Sequence, residues 1–224
     1  MLYLCKGNEF KWLFMIKNIV FDLGGVITDI NRDKALDAFR SLGVIDIDAY
    51  LDSYEQRGIF KDVETGKLNA YEFHKALCNL IGKEVGMEQV CNAWMAFVSG
   101  VQIEKLRYLT KLSEKYMLYL LSNTNPFIML WADSFDFSED ACPISFYFDK
   151  MYCSYKIGYT KPDTRIFNYM IEDSNIKPEE TLFIDDGEAN IIAAEQLDFN
   201  TYQPANGELW CNKVSSLLKK LNRK

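Results

Sequence analysis

Three times along this chain a short apolar run stops abruptly at small polar or acidic residues. Ile19-Val20-Phe21 leads into Asp22 and the pair Gly24-Gly25; Met117 to Leu121 leads into Ser122-Asn123-Thr124-Asn125; Leu182-Phe183-Ile184 leads into Asp185-Asp186-Gly187. Continuous apolar runs, as opposed to alternation, suit strands covered on both faces, which is the environment of a parallel sheet. Helical patterns separate the runs, so the fold class predicted is α/β: a doubly wound parallel sheet with helices on both sides. In open sheets of that kind ligands bind beyond the carboxyl ends of the strands. Three groups far apart in sequence are therefore expected at one site.

Between the first and second runs the pattern is helical without interruption. Asn31 reads as an N-cap for Arg32 to Leu42, with Gly43 as the stop, and Asn69-Ala70-Tyr71-Glu72 reads as a capping box opening Ala70 to Ile81. Asp46 to Arg57 and Glu88 to Val98 also carry apolar residues at helical spacing. This predicts residues 15–30 and 102–224 as the α/β core and residues 31–101 as an inserted helical unit. Residues 1–14 are expected to be a poorly ordered extension, with Met15, just ahead of the first strand, as an alternative start. Pro162 is expected at or near the first position of a helix over Asp163 to Asp173.

Composition removes several function classes. A formal charge of −7 without a long basic run argues against nucleic acid as a partner. No apolar stretch is long enough for a membrane span, and Lys6, Glu9 and Lys11 interrupt any signal-like segment. The six cysteines include no Cys-x-x-Cys, which fits a reducing, cytoplasmic location and no zinc site. The single histidine, His74, lies within a helical pattern, far from any serine or cysteine nucleophile context. The sequence sets no oligomeric state.

Asp22, Asp185 and Asp186 cannot sit together ionised without a compensating charge. A hard cation supplies it, and oxygen-only ligands without histidine point to Mg2+. Ser122, nearby main-chain amides and Lys161 are the donors that a phosphoryl group needs, and an aspartate is a competent nucleophile toward phosphorus. The partner implied is a small phosphorylated substrate.

The segments FDLGGVITD at 21–29, LLSNTN at 120–125, Lys161-Pro162-Asp163 and FIDDGEAN at 183–190 resemble the four ordered motifs of the haloacid dehalogenase superfamily. The helical unit resembles that superfamily's cap, and the likeness spans roughly residues 17–203. By resemblance, Asp22 is the nucleophile, with Lys161 acting beside it. Gly24, Gly25, Ser122, Asn123 and Lys161 bind the phosphate. Asp22, the Gly24 carbonyl and Asp186 ligate magnesium, and Asp185 does so directly or through water. The implied activity is a magnesium-dependent phosphatase working through an aspartyl-phosphate, and the nearest subgroup is the capped sugar-1-phosphate phosphatases.

At one position the pattern departs. Phosphatases of this superfamily usually carry a second aspartate two residues after the nucleophile, as general acid and base, and here that residue is Gly24. Several readings follow: substrates with good leaving groups such as glycosyl or acyl phosphates, a proton supplied by water or a cap residue, a phosphate-ester-binding protein with little turnover, or a metal-independent 2-haloacid dehalogenase. Substrate choice is expected from the helical unit, with Tyr54 and Arg57 as candidates beside Phe60 and Trp94.

Overall fold

Strand β1 (Asn18–Phe21) is buried along its whole length and pairs in parallel on both sides. The computed structural model describes residues 15–51 and 56–222; the expected extension at 1–14 and Tyr54 lie outside the described residues. On one side of β1 runs β4 (Met117–Ser122) and then β5 (Lys150–Cys153); on the other, β6 (Thr181–Ile184) and then β7 (Asn200–Tyr202). All four pairings are parallel. The chain builds outward from β1 to one edge and then crosses back to build the other, the arrangement that opens a crevice at the strand ends.

Period-two alternation divides the strand residues between two cores. Ile19, Phe21, Leu118, Leu120, Leu182 and Ile184 face one apolar cluster, completed by Leu106, Leu109 and Trp210. Val20, Tyr119, Leu121 and Phe183 face the other, against Phe167, Met170 and Ala194. On the first face Phe21 meets Trp210 at 5.3 Å between ring centroids, and the Trp210 indole N–H donates to the Val26 carbonyl at 2.9 Å. That bond ties the loop following β1 to the last helix of the described residues.

The helical run holds a third cluster. Helix α1 (Arg32–Leu42) is capped by the Asn31 side chain and stopped by Gly43 at φ 112°. Helix α4 (Ala70–Ile81) has the capping box expected from Asn69 and Glu72. With α5 (Met87–Met95) they enclose Phe39, Phe60, Phe73 and Trp94, whose rings meet edge to face or tilted at 5.0–5.6 Å. Such aromatic contacts contribute beyond their buried area.

Three expectations are corrected, and one helix is added. Helix α2 covers Ile47–Tyr50, short of Arg57, whose N–H donates to the Tyr50 carbonyl while the Arg32 guanidinium donates to the Leu51 carbonyl. The Glu88 to Val98 pattern stops at Met95, since Val98–Val101 forms strand β3, antiparallel to β2 (Thr28–Ile30). The helical run is thus joined to the sheet through a two-stranded ribbon. Helix α3 (Gly58–Glu64) had no sequence signal, its first residue being a glycine at φ 53°. Pro162 precedes the helix Thr164–Ser174, whose N-cap is Asp163.

Candidate active site

The register of the sheet sets the site. Phe21 is level with Leu120 on one side and Ile184 on the other, so the next step along the three strands brings Leu121, Asp22 and Asp185 side by side. The Asp22 amide continues the ladder by donating to the Ile184 carbonyl at 2.9 Å. Two carboxylates therefore leave neighbouring strands at one height. Lys161 answers both: its Nζ lies 3.0 Å from Asp22 Oδ1, 2.6 Å from Asp185 Oδ2 and 2.7 Å from the Leu121 carbonyl. Its side chain has no exposure to solvent.

Buried neighbours fix each member in place. The Asn123 side chain grips the Lys161 main chain at both its N–H and its C=O. The Ser154 hydroxyl brackets Thr124, accepting from its N–H and donating to its C=O, both at 3.0 Å. Asp185 accepts at its second oxygen from the Gly187 amide, 2.8 Å, and from Asn190 Nδ2, 2.9 Å. Ser122 ends β4 at 2% exposure, its hydroxyl having no closer partner than the Asn123 carbonyl at 3.5 Å.

Gly25 and Asp186 meet face to face. Gly25 has φ 74°, and a Cβ there would fall 2.0 Å from Asp186 Oδ2, so both the backbone conformation and the carboxylate's position require glycine. The Gly25 N–H, expected to face an anion, donates instead to the Thr28 carbonyl at 2.7 Å. Both side-chain groups of Asn123 are likewise engaged, leaving its main-chain amide for an anion.

The charges do not balance among the described residues. Carboxylate oxygens of Asp22, Asp185 and Asp186 can be chosen within 4.8 Å of one another, with Lys161 as the one ammonium beside them. Burial pushes the Asp22 carboxyl up to about 7, Lys161 opposing and Asp185 and Asp186 reinforcing. Asp186 rises to about 6, through burial and then Asp185. Lys161 is desolvated, yet Asp185 and Asp22 hold it above its ordinary value, in the charged form. A divalent cation held by these carboxylates would supply the missing positive charge, and an all-oxygen donor set fits magnesium.

The substrate-choice candidates divide. Phe60 and Trp94 are buried in the helical cluster and do not reach the site. Arg57 is exposed at the N-cap of α3, its N–H donating to the Tyr50 carbonyl at 2.8 Å. His74 bonds the Val85 carbonyl, in the loop between α4 and α5, at 2.7 Å, with the Cys78 thiol 3.7 Å away. Sequence reasoning passed over Asn190, Ser154 and Glu64. Asn190 lay inside the quoted 183–190 motif, whereas Ser154 and Glu64 sit in short helices with no distinguishing pattern.

A parallel sheet whose strand ends bring together a buried lysine and three aspartates defines a hydrolase-type α/β core. Residues 16–198 match the family described as haloacid dehalogenase-like hydrolase, and the chain belongs to that family. It is 52% identical over 204 residues to a D-ribitol-5-phosphate phosphatase of Bacteroides thetaiotaomicron, spanning 91% of this chain and 99% of the relative. A HAD-like family hydrolase of Porphyromonas gingivalis superposes with a TM-score of 0.88 at 45% identity, over 92% of this chain and 98% of the other. A HAD family enzyme of Bacteroides thetaiotaomicron, in complex with magnesium and inorganic phosphate, superposes with a TM-score of 0.81 at 38% identity, over 88% and 98%.

Proposed function

We propose that this chain is a magnesium-dependent phosphatase of a small sugar or polyol phosphate, acting through an aspartyl-phosphate on Asp22. The observation that carries the reading is the placement of Lys161 Nζ between Asp22 and Asp185, with Asp186 held against Gly25 beside them. Its relative named as a D-ribitol-5-phosphate phosphatase makes an acyclic polyol phosphate the first substrate to test.

Magnesium, when bound by Asp22, Asp186 and the Gly24 carbonyl, neutralises charge on the phosphoryl group and holds Asp22 ionised. Asp22 Oδ attacks phosphorus in line with the leaving oxygen. Lys161 and Ser122, with main-chain amides of Gly24 and Asn123, hold the equatorial oxygens. Asp185 has partners on both oxygens, so its part is to orient Lys161 and to reach the metal at most through water. Water then attacks the aspartyl-phosphate and regenerates Asp22.

We assign residues 31–101 as the cap, closing over the strand ends and reading the organic part of the substrate. We place the protein in the cytoplasm, without a nucleic-acid or membrane partner. Cys78, Cys91, Cys142, Cys153 and Cys211 are all free thiols, and no helix of the described residues is long and apolar enough to cross a membrane. A dehalogenase has no use for Asp186, which Gly25 accommodates at the cost of any side chain of its own.

Phosphate release from ribitol 5-phosphate, sugar phosphates, nucleotides and acyl phosphates, with and without Mg2+, tests the reading. The expected result is Mg2+-dependent turnover of a polyol or sugar phosphate that Asp22→Asn abolishes. Tight phosphate-ester binding without release would establish the binding-protein alternative, and metal-independent halide release from 2-haloacids the dehalogenase.

A further inference from the structure

An alkyl phosphate is a demanding substrate because its leaving alkoxide needs a proton as the P–O bond breaks. Gly24 cannot give one, and a Cβ at its position would already press on the Ile30 side chain, at 3.3 Å from Cγ2. Asp185 has both oxygens engaged, Asp186 is a metal ligand, and Asp29 is bonded to Gln102 and Lys105. A proton donor must come from outside these.

Glu64 is placed for it. It is the last residue of α3, 8% exposed, and its carboxyl makes no hydrogen bond or ion pair among the described residues. A buried carboxyl without a partner is costly unless it is neutral or meets a ligand. The turn that follows is seated on the core. Gly66, at φ 69°, comes so close to the Tyr155 carbonyl that a Cβ would lie 2.1 Å from its oxygen. Tyr155 adjoins Ser154, whose hydroxyl brackets Thr124 in the loop after β4. One turn back, Lys61 is near enough to Asp163 to help hold that carboxyl below its ordinary range. The end of α3 is thus packed on Tyr155, next to the residue that braces the loop after β4, with Lys61 near the loop that carries Lys161. Burial pushes the Glu64 carboxyl up to about 8; Lys61 opposes this and Asp22, across the seam, adds to it.

We propose that Glu64, delivered by the cap, is the proton donor and acceptor of this enzyme, standing in for the side chain that Gly24 lacks. The inference rests on the phosphatase reading above. In the first step Asp22 Oδ bonds to phosphorus, the bond to the ester oxygen breaks, and the Glu64 carboxyl proton passes to that oxygen, releasing the alcohol. In the second step the Glu64 carboxylate takes a proton from water as the water oxygen bonds to phosphorus. The acyl–phosphate bond breaks, hydrogen phosphate leaves, and Asp22 carboxylate and Glu64 carboxylic acid are restored. Because the acid rides on the cap, protonation of the leaving group is coupled to seating of α3 on Tyr155.

The test compares first-turnover release of the alcohol from ribitol 5-phosphate, or the alkyl phosphate chosen by the panel above, with release of p-nitrophenolate from p-nitrophenyl phosphate. The nitrophenolate leaves without a proton. In Glu64→Gln the aryl-to-alkyl rate ratio is expected to rise on the order of a hundredfold or more over wild type. Both rates come from one preparation, so the folded fraction cancels. A ratio within threefold of wild type, or loss of both activities together, overturns the proposal. If wild type releases neither product, the phosphatase reading itself fails.

Discussion

The Asn123 side chain holds the main chain of Lys161 at both ends, Nδ2 donating to the Lys161 carbonyl at 2.8 Å and Oδ1 accepting from its N–H at 2.7 Å. The residue after one strand thereby sets the height at which the lysine of a distant loop enters the site. Asn123→Ala removes both bonds while leaving every charge in place. It is expected to lower kcat about tenfold or more and stability by about 1–3 kcal/mol, since each neutral bond contributes about 0.5–1.5 kcal/mol net. Steady-state kinetics and urea unfolding measure the two effects. Unchanged kcat with lowered stability would show that Lys161 is located by other contacts.

Gly25 makes room for Asp186, so a methyl group there is a probe of the proposed metal site. In Gly25→Ala the new Cβ would overlap the Asp186 carboxylate and force a strained φ of 74°. Asp186 must move away, and Mg2+ affinity is expected to fall at least about tenfold. Titration calorimetry with Mg2+ measures this without recourse to activity. Gly24→Ala meets a contact at 3.3 Å with the side chain of Ile30 and is expected to bind Mg2+ closer to the wild-type level.

Metal removal is expected to give the protein an inverted pH dependence. Asp22 goes from 3.8 unfolded to about 7 folded, and Asp186 from 3.8 to about 6. A carboxyl with a raised folded value binds its proton more tightly when folded. Its contribution to stability is complete below the unfolded value and is lost as pH rises through the folded one. In EDTA the melting temperature should therefore fall between about pH 4 and pH 7, and Mg2+ should raise it more at pH 7.5 than at pH 5. Asp22→Asn, which has no such proton, should flatten the slope in EDTA; an equal slope in the variant would locate its origin elsewhere.

The junctions at Asp22, Ser122 and Asp185 were legible because each follows an apolar run with nothing polar inside it, and burial on both faces leaves such a run few alternatives. The capping box at Asn69 was legible because Glu72 reciprocates at fixed spacing. The ribbon of β2 and β3 was not: Ser99 and Gly100 interrupt any alternation, and its partners, extended by the Asn31 N–H to the Phe97 carbonyl, are distant in sequence. The helix Pro126–Ala132 was hidden because its cap, Asn125, reads as part of the polar stretch after β4. Glu64 was invisible for a related reason. An acid at the end of a seven-residue helix is ordinary in sequence, and its burial shows only in the folded chain, where Gly66 beside it lies against Tyr155.

The ribbon is also where the molecule carries an ion pair whose loss should be severe. Lys105, with no side-chain exposure, reaches Asp29 of β2 at 3.1 Å, and Gln102 Nε2 bonds both Asp29 oxygens and the Gly207 carbonyl. These contacts fasten β2, which links the Asp22 loop to α1, onto the core. Asp29→Ala leaves a buried ammonium without its partner, a loss of about 3–5 kcal/mol. Lys105→Met removes the charge but keeps the volume, and Asp29, at 27% exposure, retains Gln102 and water. The lysine variant is expected to lose less, and adding Lys105→Met to Asp29→Ala should recover part of the loss. Urea unfolding of the two single variants and the double decides it: strictly additive losses would mean that the buried ammonium is satisfied by groups other than Asp29.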